Sequence, residues 1–323
     1  MLIVTEAMCH QLISRQDAFT AIESVFASMA KGDAYNFPVI REAIGHADAL
    51  YGFKSGFDRA GLSLGLKSGG YWPDNAAKGL TNHQSTVFLF DPDTGQLSAL
   101  VGGNYLTAIR TAAASSVSIA HLSRKDSRVL GMVGAGHQAG FQLRAAAEQR
   151  KFEKIVAWNA HPDMLPKLEE VACDIGLPFE SVGREQLCAE ADVIISITSA
   201  HEPLLKAEWI KPGTHLACMG TDTKGKQEMD PGLVGAASVF TDEVAQSITI
   251  GETQHAMQAG LLKESAIIPL GDVINAVHPG RQSDNEITLF DGTGVGLQDL
   301  AVASVAARLA QEQGLAQVID LSV

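Results

Sequence analysis

The segment RVLGMVGAGHQAG, residues 128–140, indicates how most of the chain folds. Its first six residues form an apolar run typical of a buried strand, and the glycine-rich stretch GAGHQA at 134–139 then opens a helical pattern. A GxGxxA sequence alone is weak evidence, but here strand, turn and helix follow in the order that a dinucleotide-binding domain requires. The first glycine makes the turn, the second admits a pyrophosphate, and the helix N-terminus stabilises its charge. A tight turn without a ligand is the alternative.

Strand-like and helical stretches alternate beyond residue 127. The apolar runs are RVLGMV, KIVAW, DVIISIT, THLACM and SVFT, with helical patterns ending at Arg150 and Ile175 and a short strand near Phe179. Because these strands are continuous apolar runs, they predict a parallel sheet covered on both faces, with THLACM at its far edge. The predicted fold class is α/β: a Rossmann dinucleotide-binding domain over 124–295 and an α+β domain built from 1–123 and 296–323.

The N-terminal part of the chain has a different pattern. Ser14 followed by Asp17 is typical of a helix start, and helical apolar spacing continues to Gly32. Residues 39–101 contain short apolar runs broken by Gly, Asp and Pro, and DPDTG at 91–95 predicts a hairpin turn. We therefore expect a helix packed on a largely antiparallel sheet.

Two further helices are predicted on either side of the alternating region. One begins near Thr107 and runs to Leu122, with Arg110 in its polar first turn. The other covers 297–313 and is followed by Gly314, where a C-terminal glycine is expected. This last helix is expected to pack back on the first domain.

Composition limits the classes of function. The 323 residues include 24 Lys or Arg and 37 Asp or Glu, a net charge of −13, so the field of the protein repels nucleic acid and anionic membranes. No apolar window of about 18 residues predicts a membrane span, and the N-terminus lacks the pattern of a signal peptide, so we expect a cytoplasmic protein. The four cysteines are scattered without CxxC spacing, which gives no metal signature.

The residues after the second strand of the alternating region bear on the choice of cofactor. NAD enzymes often have an acid there for the ribose hydroxyls, and NADP enzymes an arginine for the 2′-phosphate. Here the sequence is Asn159-Ala160-His161. Asn159 can still hydrogen-bond the ribose, and the absence of an adjacent Arg or Lys favours NADH over NADPH. His161 could approach a phosphate, which leaves NADPH as the less favoured alternative.

Asp222 is a candidate acid/base residue because it follows the strand THLACM. Ligands of open α/β sheets bind beyond the carboxyl ends of the strands, so Asp222 can face a nicotinamide. A carboxyl group at that position can relay a proton to the heteroatom of a C=N or C=O bond. An Asp that caps the next turn is the alternative.

The first domain supplies candidate substrate-binding cations. Lys67 and Arg110 lie among small or apolar neighbours, where an unpaired charge is costly, and an anionic substrate would neutralise them. Arg41 and Lys54 taken singly are typical of solvated surface charges. His83 either adds a hydrogen bond to the substrate or is an ordinary half-buried histidine.

Taken together, the sequence resembles the ornithine cyclodeaminase/μ-crystallin family over almost its whole length. The most specific matches are LTAIRTAAASS (106–116), GAGHQA (134–139), GTDTKGKQEMD (220–230) and EITLFDGTGVGLQDLAVA (286–303). The resemblance implies a dimer-forming substrate domain made from the N-terminal part and the last helix, with a Rossmann domain between them. A homodimer is therefore expected.

The resemblance also implies roles for individual residues. Arg41, Lys67 and Arg110 would hold the substrate carboxylate, with Lys67 near the reacting carbon, and Asp222 would be the acid/base residue. Nucleotide contacts are implied at Thr111, Gly134, Ala135, Gly136, His137, Gln138, Asn159, Thr198, Met219, Gly220, Gly294 and Val295.

The family includes ornithine cyclodeaminases, alanine dehydrogenases and ketimine reductases, so the resemblance leaves the substrate open. A cyclodeaminase needs an acid for the distal amine of ornithine, whereas Lys54, with His83, suits a second carboxylate. Ala160 replaces the μ-crystallin-like arginine, which supports NADH. We expect reduction of a small anionic imino acid, specifically iminosuccinate to L-aspartate. A cyclodeaminase, an alanine dehydrogenase-type enzyme and a non-catalytic, crystallin-like nucleotide-binding protein are the alternatives.

Overall fold

The structure is a computed structural model that describes residues 1–321. Ser322 and Val323, with which the predicted substrate domain ends, lie outside the described residues. The helices are α1 (Glu6–Leu12), α2 (Arg15–Ala30), α3 (Asn104–Leu122), α4 (Ala139–Ala147), α5 (Leu165–Asp174), α6 (Arg184–Glu190), α7 (Pro231–Ala236), α8 (Val244–Ile250), α9 (Gln254–Gln258), α10 (Leu270–Ile274) and α11 (Gly296–Glu312). Within the described part of the chain, no helix is both long and apolar enough to cross a membrane.

The strands are β1 (Leu2–Val4), β2 (Ala34–Asn36), β3 (Ile40–Ala43), β4 (Leu50–Asp58), β5 (Ser63–Tyr71), β6 (His83–Phe90), β7 (Leu97–Gly102), β8 (Val129–Val133), β9 (Lys154–Trp158), β10 (Phe179–Ser181), β11 (Val193–Ser196), β12 (His201–Leu205), β13 (His215–Cys218), β14 (Gln227–Met229), β15 (Ser238–Thr241), β16 (Ile267–Pro269), β17 (Thr288–Asp291) and β18 (Gln317–Val318). The five apolar runs predicted as strands beyond residue 127 coincide with β8, β9, β11, β13 and β15 to within two residues.

The chain divides into two compact units. Unit 1 consists of Met1–Arg110 and Val295–Val323, and unit 2 is Thr111–Gly294. The first boundary falls inside α3, whereas the sequence placed it after residue 123. The reason is that the second half of α3 packs within unit 2, where the Ser116 hydroxyl donates to the Ala145 carbonyl at 2.9 Å.

Unit 1 contains the mainly antiparallel sheet that the sequence predicted. Its order is β18-β1-β7-β6-β5-β4-β2, β3 also pairs with β4, and β1 runs parallel to β7. The predicted turn at 91–95 joins β6 to β7: the Asp91 carboxylate accepts from the backbone N–H groups of Asp93 and Thr94, and Gly95 has a φ of +73°. That prediction is confirmed.

Two helices cover one face of this sheet. α2 begins after Ser14, whose hydroxyl accepts from the Asp17 N–H while the Asp17 carboxylate accepts from the Ser14 N–H, as the capping pattern predicts. α11 packs on α2, β4 and β5. A Cβ on Gly65 would lie 2.9 Å from Leu300, so this glycine lets α11 approach the sheet closely. The predicted return of the last helix to the first domain is confirmed.

The start of α3 differs from the prediction by one turn. α3 begins at Asn104 rather than near Thr107, because the Glu6 carboxylate of α1 accepts from the N–H groups of Asn104 and Tyr105 at 2.7 and 3.0 Å. An acid distant in sequence thus supplies the helix cap. Arg110 consequently lies in the second turn, and its placement in the first turn was wrong.

Unit 2 is built on an entirely parallel sheet of order β10-β9-β8-β11-β13-β17-β15-β16. The first five strands have the 3-2-1-4-5 order of a Rossmann domain, with the chain reversing its direction of winding between β8 and β11. The α/β fold class is therefore confirmed. Ligands of such sheets bind at the carboxyl ends of the strands beside this reversal.

One predicted placement in this sheet was wrong. THLACM forms β13, which lies inside the sheet rather than at its far edge, because β17 pairs along its free side from His215↔Thr288 to Cys218↔Asp291. Thr288 is 73 residues beyond His215 along the chain. Local periodicity carries no information about a pairing between segments so far apart.

Candidate functional site

The glycine-rich turn after β8 has the geometry that a bound pyrophosphate needs. Gly134 has a φ of +105°, and a Cβ there would lie 2.6 Å from the Ile197 carbonyl, so only glycine fits. A Cβ on Gly136 would meet no atom within 4 Å, which leaves open space before the N-terminus of α4. Gln138 also has a buried Oε1 without a hydrogen-bond partner. These residues therefore fit a dinucleotide.

Asn159 supports this turn from the end of β9. Its Oδ1 accepts from the Ala135 N–H at 3.1 Å, and its Nδ2 donates to the His161 carbonyl at 2.8 Å. The sequence suggested only a ribose contact for Asn159, and the bond to the turn was missed because side-chain direction cannot be inferred from spacing. His137 is exposed in the turn, with its ring centroid 5.8 Å from that of Phe141.

Other implied nucleotide contacts lie at the carboxyl ends of neighbouring strands. Thr198 follows β11, Met219 and Gly220 follow β13, and Gly294 follows β17. The Asp242 carboxylate accepts from the Gly294 N–H at 2.8 Å and fixes that turn. Two residues implied with them are placed differently. Thr111 lies in the interior of α3, and Val295 belongs to unit 1, where it is the buried N-cap residue of α11.

Asp222 lies four residues beyond the end of β13 and carries an ion pair. Lys226 Nζ is 2.7 Å from Asp222 Oδ1 and also donates to the Gly220 carbonyl at 3.1 Å. The Thr223 hydroxyl donates to the same Oδ1 at 3.2 Å. Lys226 was missed by the sequence reasoning, although the KGK of the quoted motif contains it. The ion pair holds the carboxylate of Asp222 in place.

In unit 1, two of the predicted substrate-binding cations share one buried carboxylate. Lys67 Nζ lies 2.8 Å from Asp299 Oδ2, and Arg110 Nε lies 3.1 Å from Asp299 Oδ1. Arg110 also donates through Nη1 to Gln298 Oε1 at 2.8 Å. Asp299 was missed by the sequence reasoning. The available signal was the expectation that two buried cations need a counter-ion, and QD begins the last helix in the quoted motif.

The sheet brings Lys54 to the same place. Lys54 on β4 pairs with Lys67 on β5 in an antiparallel ladder, so both side chains leave the same face of the sheet. Burial lowers the pKa of Lys67 to about 7; Asp299 opposes this shift, while Arg110 and Lys54 add to it. Burial also opposes ionisation of Asp299, but Arg110 and Lys67 hold its pKa below the ordinary value.

His83 begins β6 and feels the same positive field. Desolvation by the surrounding protein lowers its pKa to about 4, helped by Lys67, Arg110 and Arg41 and opposed by Asp299. His83 is exposed at the start of β6, and the lowered pKa favours its neutral imidazole, which can offer a hydrogen bond but no charge. Arg41 lies on β3 with an exposed side chain. Within residues 1–321, no group of three or more His, Cys, Asp or Glu is arranged to hold a metal.

These features define a protein that combines a Rossmann-type dinucleotide-binding unit with a cation cluster suited to a carboxylate ligand. The sequence model of the Ornithine cyclodeaminase/mu-crystallin family matches residues 1–313. The chain belongs to this family, as its motifs predicted.

Two solved structures and one curated relative illustrate the likeness. Iminosuccinate reductase of Paracoccus denitrificans (strain Pd 1222) is 61% identical over 321 residues, 99% of this chain and 100% of the relative. The crystal structure of the iminosuccinate reductase of Paracoccus denitrificans in complex with NAD+ has a TM-score of 0.97 and 61% identity, covering 99% of each chain. An archaeal alanine dehydrogenase dimer with bound NAD has a TM-score of 0.93 and 31% identity, covering 100% of this chain and 99% of its own.

Proposed function

We propose that this protein is an NADH-dependent imine reductase that converts iminosuccinate to L-aspartate. The observation that carries the proposal is the 61% identity, over 99% of the chain, to a protein named iminosuccinate reductase. The sequence predicted the same reaction from its resemblance to the family over almost the whole chain, with Lys54 as the extra cation that suits a second carboxylate. The cation cluster of unit 1 supplies a physical reason for a substrate with two carboxylates.

Unit 2 holds the cofactor in this proposal. Gly134 and Gly136 give the pyrophosphate access to the N-terminus of α4, and Gln138 offers its unpaired buried oxygen to a donor on the ligand. Ala160 leaves no arginine beside Asn159 for a 2′-phosphate, which favours NADH. NADH supplies the hydride that reduces the imine carbon.

Unit 1 holds the substrate. Arg110 and Lys67 bind one carboxylate, together with Arg41, and Lys54 and neutral His83 bind the other. An anionic ligand next to Lys67 favours the charged form of its amine, so substrate binding raises a pKa that is about 7 in the free protein. Lys67 also lies close to the reacting carbon in this arrangement.

Reduction of a C=N bond adds a hydride to carbon and a proton to nitrogen, so one proton must be supplied in each turnover. Asp222 provides this proton, directly or through a water molecule. The ion pair with Lys226 keeps the carboxylate oriented between turnovers. Iminosuccinate, NADH and a proton thus give L-aspartate and NAD+.

The proposal is tested by mixing the purified protein with oxaloacetate, ammonia and NADH at mildly alkaline pH, where iminosuccinate forms in solution. We expect loss of NADH absorbance with a stoichiometric yield of aspartate. Pyruvate and glyoxylate with ammonia, and ornithine with NAD+, serve as parallel substrates. Turnover of ornithine or pyruvate without aspartate formation would contradict the proposal and identify a cyclodeaminase or an alanine dehydrogenase.

Replacing Asp222 with Asn tests the role of the acid. Loss of a general acid lowers kcat by roughly 100- to 10,000-fold, while the affinity for NADH stays within about twofold. Asp163→Asn, at an exposed position of the same unit, is the matched control and should retain full activity. An Asp222→Asn enzyme with normal kcat would remove Asp222 from the mechanism.

The protein forms a homodimer in this proposal. Exposed apolar side chains cluster on and beside β2, β3 and β4: Tyr35, Phe37, Ile40, Ile44 and Phe53. A second copy of the chain would remove this surface from water. Sedimentation velocity should give a dimer for the wild type and a monomer for Ile40→Glu; a wild-type monomer at micromolar concentration would contradict the assignment. Cytoplasmic location stays a prediction of the sequence.

A further inference from the structure

A single buried carboxylate joins the ends of two neighbouring strands in unit 2. Glu228 on β14 is fully buried, and its Oε1 accepts from the Thr198 N–H at 2.7 Å. Its Oε2 accepts from the Gly220 N–H at 3.1 Å and from the Ser196 hydroxyl at 2.9 Å. Thr198 and Gly220 follow β11 and β13, which pair side by side. Glu228 therefore fixes the backbone where two of the implied nucleotide contacts lie.

The packing around Gly220 leaves little freedom for adjustment. A Cβ at this position would lie 2.6 Å from Glu228 Oε1 and 2.5 Å from the Thr198 carbonyl. The strand ends and the carboxylate therefore form one close-packed unit. Asp222, the proposed acid, is only two residues further along the chain, so its placement depends on where Gly220 is held.

A second buried carboxyl group, Glu252, holds the first one. Its Oε1 accepts from the N–H groups of Glu228 and Met229 at 3.0 and 2.7 Å. Its Oε2 accepts from the hydroxyl of Thr221, the residue between Gly220 and Asp222, at 2.5 Å, and shares the Glu228 N–H at 3.2 Å. Glu252 thus fixes both the strand that carries Glu228 and the loop that carries Asp222.

The hydrogen-bond partners of Glu228 and Glu252 indicate that the pair carries one negative charge. Backbone N–H groups can only donate, so each oxygen of Glu228 that faces one must accept, which favours the ionised form. Glu252 Oε2 faces the Thr221 hydroxyl, which can also accept, and its backbone partner is the Glu228 N–H, which is closer to Oε1, so a proton fits on Oε2. Burial and the charge of Glu228 raise the pKa of Glu252 to about 8, and Asp291 adds to this shift. Burial also raises the pKa of Glu228, but its hydrogen bonds to Thr198, Ser196 and Gly220 oppose that shift.

We propose that Glu228 is a positioning residue for the reduction, holding the Thr198 and Gly220 backbone against the cofactor, and that Glu252 supports it as the neutral member of the pair. This inference rests on the proposed binding of NADH by unit 2. It predicts that two isosteric replacements have unequal effects. Gln at 228 turns an NH2 group towards a backbone donor, whereas Gln at 252 can keep accepting from the backbone and donate to Thr221.

The test compares Glu228→Gln with Glu252→Gln near pH 7. NADH fluorescence titration gives the dissociation constant, steady-state kinetics give KM for iminosuccinate, and thermal unfolding reports the fold. Glu228→Gln leaves a buried backbone N–H without an acceptor, so we expect its NADH affinity to fall roughly tenfold or more. KM for iminosuccinate should stay within about twofold, because unit 1 holds that ligand. Glu252→Gln should change NADH affinity by less than about threefold.

The outcomes separate this inference from the proposed function. If the wild type binds NADH and a folded Glu228→Gln binds it equally well, the positioning role is overturned while the reductase assignment stands. Equal losses in both variants would overturn the assignment of the single charge to Glu228. If Glu228→Gln does not fold, Ser196→Ala decides: a two- to tenfold weaker NADH affinity supports the proposal and an unchanged affinity overturns it.

Discussion

The two units bury charged groups in opposite ways. In unit 1 the buried carboxylate of Asp299 is satisfied by cations, with Lys67 and Arg110 at 2.8 and 3.1 Å. In unit 2 the buried carboxyl groups of Glu228 and Glu252 are satisfied by backbone N–H groups and hydroxyls. The first arrangement orients charged side chains, and the second holds backbone loops.

This difference accounts for the different chemistry of the units. A carboxylate shared by two cations places and orients their donors, yet each cation keeps further N–H groups for a substrate. A backbone N–H has only one hydrogen, which its bond to the carboxyl group uses. Such bonds therefore fix the positions of the carboxyl group and the backbone relative to each other. Replacing the carboxylate should therefore leave cationic side chains without a counter-ion in unit 1. In unit 2 it should leave backbone N–H groups without an acceptor.

The largest effect is expected for Asp299→Asn. This change leaves Arg110 as a buried cation without a counter-ion and forces Lys67, whose pKa Asp299 raises, to give up its proton near pH 7; breaking a buried pair in this way destabilises a protein by about 3–5 kcal/mol. Urea unfolding measures the free energy of unfolding. Adding Lys67→Met to Asp299→Asn removes the buried amine that has lost its partner and should recover part of the loss. If the double variant is less stable than Asp299→Asn, the ion pair does not explain the role of Asp299.

The second prediction concerns the face of unit 1 that carries Lys54. Lys54→Met removes a charged donor for the second carboxylate, which is worth about 1.5–3 kcal/mol, or roughly 10- to 100-fold in KM for iminosuccinate. An imine formed from pyruvate has a single carboxylate, and its KM should change little. Lys31→Met, exposed in the same unit, serves as the control. An equal loss for both substrates would place Lys54 at the first carboxylate.

Local signals in the sequence predicted the elements of the fold well. The Ser14 capping pattern, the turn at 91–95 and the glycine-rich motif each depend on residues close together in the chain, so periodicity and turn chemistry identify them. The start of α3 and the neighbour of β13 depend on Glu6 and β17, which are remote in sequence. Such partners become visible only when the chain is folded.

The candidate site shows the same limit. Lys67, Arg110 and Asp222 stand out because a charge among small or apolar residues, or an acid after a strand, is chemically informative. Asp299 and Glu228 were missed because an acid in a helical or polar segment is ordinary until its buried partners are known. The sequence thus led to the residues proposed to contact a ligand, and the structure supplied the buried acids that hold those residues or their loops in place.

Measured over a single pH unit, the smallest expected effect is a pH dependence of stability that belongs to Glu252. In the unfolded chain this carboxyl group has its ordinary pKa of 4.5, but in the folded protein burial and Glu228 raise the pKa to about 8. Between these values the folded state retains a proton that the unfolded state has lost, so this contribution to stability is present at low pH and is lost as pH rises through about 8. The slope is at most about 1.4 kcal/mol per pH unit.

Because Gln carries no such proton, the unfolding free energy of wild type minus that of Glu252→Gln should decrease with rising pH and level off above about 8. Glu264→Gln, exposed in the same unit, should give a curve parallel to wild type. A parallel curve for Glu252→Gln as well would mean that Glu252 is ionised in the folded protein, and that it is not the neutral member of the buried pair of unit 2.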